Sequence, residues 1–248
     1  MPGGGPSVNL VIGEVEAIFR YPIKSMGGER VESAEVGWHG LEGDRRLALR
    51  RTKAQNGFPW LTATKMPELL LFSPLRHPDG ADGELPARVR TPEGNEFAVF
   101  SEELAADVEN RHSEPVEMTH LRHGIFDDAC ISVITSDTIR EVGRLAGLQL
   151  DVRRFRPNIL IRLSETSTFA ENDWLGGQLS FGDASGPRVS LTMLDDRCAM
   201  VNYDPHSARA APDVLKSIVR ANDNKAGIYG SVVRTGRVEV GQSIRLKR

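Results

Sequence analysis

Four short polar segments carry most of the residues with chemistry to offer. Arg20-Tyr-Pro-Ile-Lys-Ser-Met-Gly-Gly sets Lys24 and Ser25 in a turn before a glycine pair, where an ammonium and backbone amides can converge on an anion. Gly40-Leu-Glu-Gly-Asp-Arg-Arg offers Arg45 and Arg46 directly before a strand, and either guanidinium suits bidentate pairing with phosphate or carboxylate. Val152-Arg-Arg-Phe-Arg-Pro-Asn-Ile places Arg156 and Asn158 on either side of Pro157, and extended backbone there would point both to one face. Asp195-Asp-Arg-Cys-Ala-Met-Val-Asn-Tyr-Asp-Pro puts Cys198 beside Arg197 in a polar turn after a strand, and a neighbouring cation favours thiolate. Taken together, they describe an anion-binding protein with one reactive thiol.

Each segment also has a plainer account. The first is a turn, an Asp–Arg neighbour pair is a surface ion pair of small energetic weight, and Arg-Pro-Asn satisfies loop carbonyls. Cys130, just before the apolar Ile131 to Ile134, reads as a small buried hydrophobe. Two cysteines are too few for a disulfide scaffold, a zinc ribbon or a four-thiolate cluster. There is no phosphate-binding Gly-x-x-x-x-Gly-Lys loop, no dinucleotide glycine motif, no His-Glu-x-x-His and no Gly-x-Ser-x-Gly elbow. With 31 basic against 34 acidic residues, the net charge of −3 lacks the basic excess of a dedicated nucleic-acid binder.

Positioning these segments calls for strands. The 248 residues, 40% hydrophobic, suffice for one large domain or two small ones with a real core. Strand-length runs separated by Gly, Pro, Asp and Asn occur at Val11 to Arg20, Arg30 to Val36, Arg46 to Arg50, Ala87 to Arg90 and Phe97 to Phe100. They recur at Ile131 to Ile134, Asn158 to Arg162, Gln178 to Phe181, Arg188 to Met193, Val232 to Thr235 and Ser243 to Leu246. Leu69 to Phe72 is a further strand-sized apolar run. Helical spacing marks Leu104 with Val108, then Ile139, Val142 and Leu145, then Val214, Leu215, Ile218 and Val219 after Pro212, with Gly147 and Asn222 as stops. The expected class is mainly β or α+β, a β-barrel packed with a β-rich N-terminal module and a few short helices. No run approaches the roughly 18–20 apolar residues of a membrane helix. The N-terminus reads as a loose leader without signal-peptide character, so the expected location is cytoplasmic, in a reducing compartment.

The segments occur in an order that resembles the MOSC superfamily, proteins similar to the C-terminal domain of molybdenum cofactor sulfurase, preceded by the β-barrel module that accompanies it. Within that superfamily the chain is similar to the amidoxime-reducing component. The matching residues are Tyr21-Pro-Ile-Lys-Ser and Gly43-Asp-Arg-Arg in the N-terminal module, then Phe155-Arg-Pro-Asn-Ile, Asp196-Arg-Cys-Ala-Met-Val-Asn-Tyr-Asp-Pro, Tyr229-Gly and Val240-Gly-Gln. The implied division is a module over 10–118 and a MOSC domain over 119–248, cut near the polar stretch holding His112, His120 and His123.

The resemblance implies a pyranopterin molybdenum cofactor with Cys198 as the protein's thiolate ligand to the metal. It implies that Lys24, Ser25, Arg45, Arg156 and Asn158 contact the cofactor phosphate and pterin, with Thr135 and Ser136 as looser matches. Arg197 either keeps Cys198 ionised or binds the ligand itself. A soft thiolate and fixed cations suit a metal held by further sulfurs and a phosphate tail. The implied reaction is two-electron reduction of small N-hydroxylated compounds, amidoximes or hydroxylamines, with Asp195, Asp196 or Asp204 as proton donor. Asp204, before Pro205, reads more readily as a turn cap. Some relatives carry an iron–sulfur extension, and none follows Arg248, so a separate ferredoxin- or flavoprotein-like electron-transfer protein is expected, with no nucleic-acid or membrane partner. Three other readings remain open at this level: a sulfur carrier using a Cys198 persulfide, a Cys–His hydrolase using Cys198 with His206 or His39, and a non-catalytic anion-binding barrel.

Overall fold

The computed structural model describes residues 9–55, 57–76 and 85–248, and the leader expected at Met1 to Ser7 lies outside them. The chain runs through β1 (Asn9–Arg20), β2 (Glu29–Val31), β3 (Ser33–Gly37), β4 (Gly40–Leu41), β5 (Leu47–Arg51), β6 (Ser73–Leu75), β7 (Arg88–Arg90), β8 (Glu96–Ala98), α1 (Glu102–His112) and β9 (Val116–His120). It continues with β10 (Ile131–Thr135), α2 (Ser136–Ala146), β11 (Ile159–Leu163), β12 (Gln178–Phe181), β13 (Arg188–Asp196), α3 (Asp213–Asn222), β14 (Lys225–Arg234), β15 (Gly236–Glu239) and β16 (Ser243–Lys247).

Seven strands close into a barrel in the order β11–β10–β14–β13–β12–β16–β1, with β1 pairing back onto β11 and β2 added beside β1. The ladders are antiparallel except β10–β11, whose parallel register requires a crossover, and α2 lies in that connection. Alternate residues point inward. Ile131 and Val133, Ile159 and Ile161, Val189 and Leu191, Ile244 and Leu246 fill the barrel. Each fully buried side chain of this size contributes about 1.5–3 kcal/mol by leaving water. This is the β-rich class expected from the sequence, with three α-helices among the described residues.

A second core gathers Ile23, Leu47, Leu61, Leu69, Phe72, Leu104 and Val108, covering the β5–β9 pair, the β6–β7–β8 sheet and α1. A third joins Tyr21 and Phe155 to Ile139, Val142, Val214 and Ile218, so α2 and α3 pack on the outside of the barrel against the loops before β11 and after β1. The first strand of the chain belongs to the barrel, and β15, near its other end, pairs with β3. Among the described residues no helix is long and apolar enough to cross a membrane.

Several elements differ from the reading of the sequence. Leu69 to Phe72 is mostly a 3-10 turn, Pro67–Leu71, because Pro67 presets the helical φ at its start and Leu69 and Leu70 are its buried residues. Arg30 to Val36 splits into β2 and β3. Strand β13 runs on past Met193 to Asp196, where Asp196 faces Lys225 across the ladder. Val232 to Thr235 is only the tail of β14, whose glycines read as turn signals but mark close approach. A Cβ on Gly227, at φ +92°, would sit 2.7 Å from the Val133 carbonyl oxygen. Leu145 and Val219 lie off the buried helix faces and stay exposed. Helix α1 starts at its Ser101 cap, whose Oγ accepts from the Leu104 amide, and α2 stops at left-handed Gly147.

Candidate functional site

On β10 and β14, Ile131, Val133 and Ile228 face the barrel interior, so Ser132 and Tyr229 face outward. Against this outer wall lies a cavity of about 350 Å³, bounded by Arg45, Asp127, Asp128, Phe155, Arg156, Asp195, Arg197, Cys198 and Tyr229. An adjoining cavity of about 120 Å³ adds Lys24, Ser25, Thr62 and Thr64 and shares Arg45, Asp127, Arg156, Cys198 and Met200 with the first. The two therefore form one site, with Arg45, Arg156 and Cys198 lining both parts and Lys24 at the end nearer Ser25.

Three cations converge from three loops. Lys24 is buried, and its ammonium donates to Asp127 at 2.6 Å. Burial lowers the Lys24 pKa against the pull of that carboxylate. Arg45 and Arg156 both lie against the ring of Tyr21, their Cζ atoms 5.1 and 4.1 Å from its centroid. Ser25, Arg45 and Arg156 all have left-handed backbone, at φ +67°, +50° and +49°. Each such non-glycine residue costs on the order of 1 kcal/mol, and here the cost aims the side chain at the cavity. The guanidinium of Arg156 donates through Nη1 to the Met26 carbonyl at 2.7 Å, while Nη2 is shielded from water and has no hydrogen-bond partner. Burial, together with the neighbouring Arg45 charge, pushes the Arg156 pKa down to about 10. A desolvated cation with a spare donor is the physical signature of a place for an anion.

Asp44 and Asn158 hold this cluster in place. Asp44 is fully buried; its Oδ1 accepts from the Tyr21 amide at 2.7 Å and its Oδ2 from Arg45 at 2.5 Å. Asn158, 1% exposed, accepts from the Ser132 amide and from Arg45 and donates to Asp44 and to the Phe19 carbonyl. Its amide is saturated inside the protein, so Asn158 ties the barrel to the Arg45 turn instead of reaching into the cavity. The extended backbone expected around Pro157 is absent, since Arg156 is left-handed, and Arg156 and Asn158 do not share a face.

Cys198 is exposed at the head of a 3-10 turn, Ala199–Asn202, directly after β13. Arg154 fastens that turn: it donates to the carbonyls of Val201 and Asn202 and pairs with Asp204. Arg197 is inward and occupied. It donates to the carbonyls of Ala226 and Phe155, both at 2.7 Å, and its Nη2 lies 2.8 Å from Asp195. Asp195 is 2% exposed, and burial pushes its pKa up to about 7 although Arg197 and Ser132 favour the ionised form. Asp204 does cap its turn, accepting from His206 and Ser207.

Thr135 and Ser136 are not brought to the cavity. Thr135 is fully buried, caps α2 by accepting from the Thr138 amide, and donates its own amide to buried Glu171. The Ser136 hydroxyl meets the Ile161 carbonyl. Cys130 is half-buried with Sγ 3.7 Å from the Gly230 carbonyl, and burial raises its pKa, in keeping with a packing role. His206 pairs with Asp151, and His39 stacks on His123 at 4.2 Å. Neither lines the Cys198 cavity, which removes the geometry a Cys–His hydrolase needs. Reasoning from sequence missed Asp127 and Arg154, whose partners are remote in the chain and leave no local signal. Among the described residues no group of three or more His, Cys, Asp or Glu is placed to hold a metal ion.

The fold and site define a class: a closed β-barrel carrying, on its outer wall, a cation-rich cavity with one exposed thiol. The MOSC domain matches residues 120–245 and the MOSC N-terminal beta barrel domain matches residues 12–129, and the chain belongs to the MOSC family. MOSC domains are associated with molybdenum-cofactor binding or processing. Among solved structures, the YUAD protein from Bacillus subtilis is 14% identical, with a TM-score of 0.53 over 97% of this chain and 98% of its own, which shows the shared fold. YiiM from Geobacillus stearothermophilus is 21% identical over 47% of this chain and 53% of its own, with a TM-score of 0.37. No curated protein gives a significant match.

Proposed function

We propose that this protein binds the pyranopterin molybdenum cofactor and reduces small N-hydroxylated compounds, such as amidoximes, with electrons from a separate ferredoxin- or flavoprotein-like carrier. The observation that carries the reading is the Arg156 Nη2, shielded and unbonded, beside Lys24 and Arg45 in the cavity that exposes Cys198. The donor set suits that cofactor: one thiolate for a metal that brings its own sulfur ligands, and cations for a phosphate tail. Cys198 would hold the metal; Lys24, Arg45 and Arg156 would hold the phosphate, with Ser25 beside them. Asn158 and Arg197 position these groups from behind. When bound, the cofactor supplies two-electron oxygen-atom chemistry. The chain's own part is to orient the substrate beside Cys198 and to provide a proton inside a walled cavity.

A second reading, favoured by the exposure of Cys198, is a sulfur carrier with a persulfide on that thiol. Protein made in a cofactor-competent host and analysed for molybdenum, pterin and bound sulfur separates the two. Stoichiometric molybdenum, with conversion of an amidoxime to an amidine by a reduced artificial donor, is the expected result. Absent molybdenum and pterin, with a persulfide on Cys198, would establish the carrier instead.

A further inference from the structure

Three aspartates lie near Cys198 in sequence, and their surroundings differ sharply. Asp204 is spent on its own turn and on Arg154. Asp196 also borders the cavity, but it is 65% exposed and faces Lys225 at 3.7 Å. Asp195 is enclosed and borders the cavity that Cys198 also borders. Its Oδ2 accepts from the Ser132 hydroxyl at 3.3 Å and lies 2.8 Å from Arg197 Nη2 as an ion pair without hydrogen-bond alignment, and no hydrogen bond reaches its Oδ1 among the described residues. Arg197 is itself pinned by two backbone carbonyls. Gly227 leaves it room, since a Cβ there would lie 3.0 Å from Arg197 Nη2. The carboxyl is thus fixed in direction, with one oxygen free.

We propose that Asp195 is the acid of this cavity, delivering a proton to the oxygen that leaves an N-hydroxylated substrate. The inference rests on the reductase reading above. Reduction of N–OH to N–H and water consumes two electrons and two protons. The N–O bond breaks, the separate iron–sulfur or flavin carrier supplies both electrons, one proton ends on nitrogen, and the other, from Asp195, completes the departing water. Solvent entering the cavity then returns the proton to Asp195. The charged and titratable groups around it act in both directions. Arg197 favours its ionised form, whereas Asp127 and Asp128 on the facing loop and the enclosure itself favour the proton, and the Tyr229 phenol from β14 borders the same cavity. The resulting pKa of about 7 is matched to proton transfer near neutrality.

The test compares molybdenum-loaded wild type with Asp195→Asn and Asp195→Glu. Infrared spectra of wild type, with and without cofactor, should show a protonated carboxyl band that titrates near neutrality and is missing in Asp195→Asn. Asp195→Asn should keep its molybdenum and lose about 10²–10⁴-fold in kcat, with a pH profile that no longer falls on the alkaline side, and Asp195→Glu should recover part of the rate. A missing band in wild type, an unchanged profile in Asp195→Asn, or a rate loss explained by lost molybdenum would overturn the role of Asp195. Loaded wild type that shows the band but reduces no N-hydroxylated compound would overturn the reductase reading, and the proton-donor role with it.

Discussion

Arg45 donates through Nη2 to the backbone carbonyl of Arg156 at 2.9 Å, joining two residues 111 positions apart in the chain. One guanidinium thereby sets the backbone that aims the other. The bond explains why Arg156 adopts left-handed geometry before Pro157, where extended backbone is the ordinary outcome. The anion end of the cavity is consequently a joint product of the N-terminal turn and the loop before β11.

Removing that end should cost affinity and spare the fold. Arg156→Ala and Lys24→Ala each delete a charged donor, and such hydrogen bonds are worth about 1.5–3 kcal/mol, or roughly 10–100-fold in binding. Pterin retained after gel filtration should fall accordingly, while the urea unfolding midpoint shifts little. Full pterin retention in both variants would exclude these residues from the site.

The two cysteines should separate cleanly. Cys198→Ala should abolish bound molybdenum, and Cys130→Ala should retain it, because Cys130 packs against Gly230 beneath the barrel wall. Elemental analysis of the purified variants decides, and equal metal content in both would refute the ligand assignment.

Asn158→Ala should act on stability. Truncation strands the Ser132 amide and weakens the anchorage of Asp44 and Arg45, a loss of about 3 kcal/mol at the usual cost of unsatisfied buried groups. Urea denaturation should show a lower midpoint; a shift of a few tenths would mean that water replaces the amide.

Asp195 also shapes the dependence of stability on pH. In the folded protein the carboxyl keeps its proton up to about pH 7, whereas the unfolded chain releases it near the ordinary aspartate value of 3.8. The folded state binds the extra proton in that window, so this contribution is full below it and is lost as pH rises through it. Asp195→Asn cannot ionise. The difference in unfolding free energy between variant and wild type should therefore move in favour of the variant from acid to neutral pH, then level off. A constant difference across that range would place the native pKa near its ordinary value.

Much of the site is legible in the sequence because its cations and thiol sit in contiguous polar segments at strand ends, where few core demands explain them. Lys24, Arg45, Arg156 and Cys198 all announce themselves in this way. Asn158 and Arg197 look equally functional in one dimension, yet they are engaged by backbone carbonyls and by buried carboxylates, of Asp44 and Asp195, that hold them inside the protein, and spacing carries no record of where a hydrogen bond ends. The same holds for Asp127, whose partner Lys24 lies 103 residues away. In the fold, alternation locates the barrel strands well. Polar strand ends such as Asp195–Asp196 and glycine-rich β14 escape it, because their residues answer to the cavity and to close backbone contacts.

Strand β1 pairs with both β11 and β16, and Asn9 stands opposite Lys247. Both partners lie far from β1 along the chain, so barrel closure is a late, non-local event. Until then β11 and β16 present open edges, the form in which β proteins mispair. The same wiring makes the protein suited to splitting: a chain beginning at the loop after β1 should be rescued by a peptide spanning Asn9–Arg20 added in trans, and restored cooperative unfolding would report the rejoined wall.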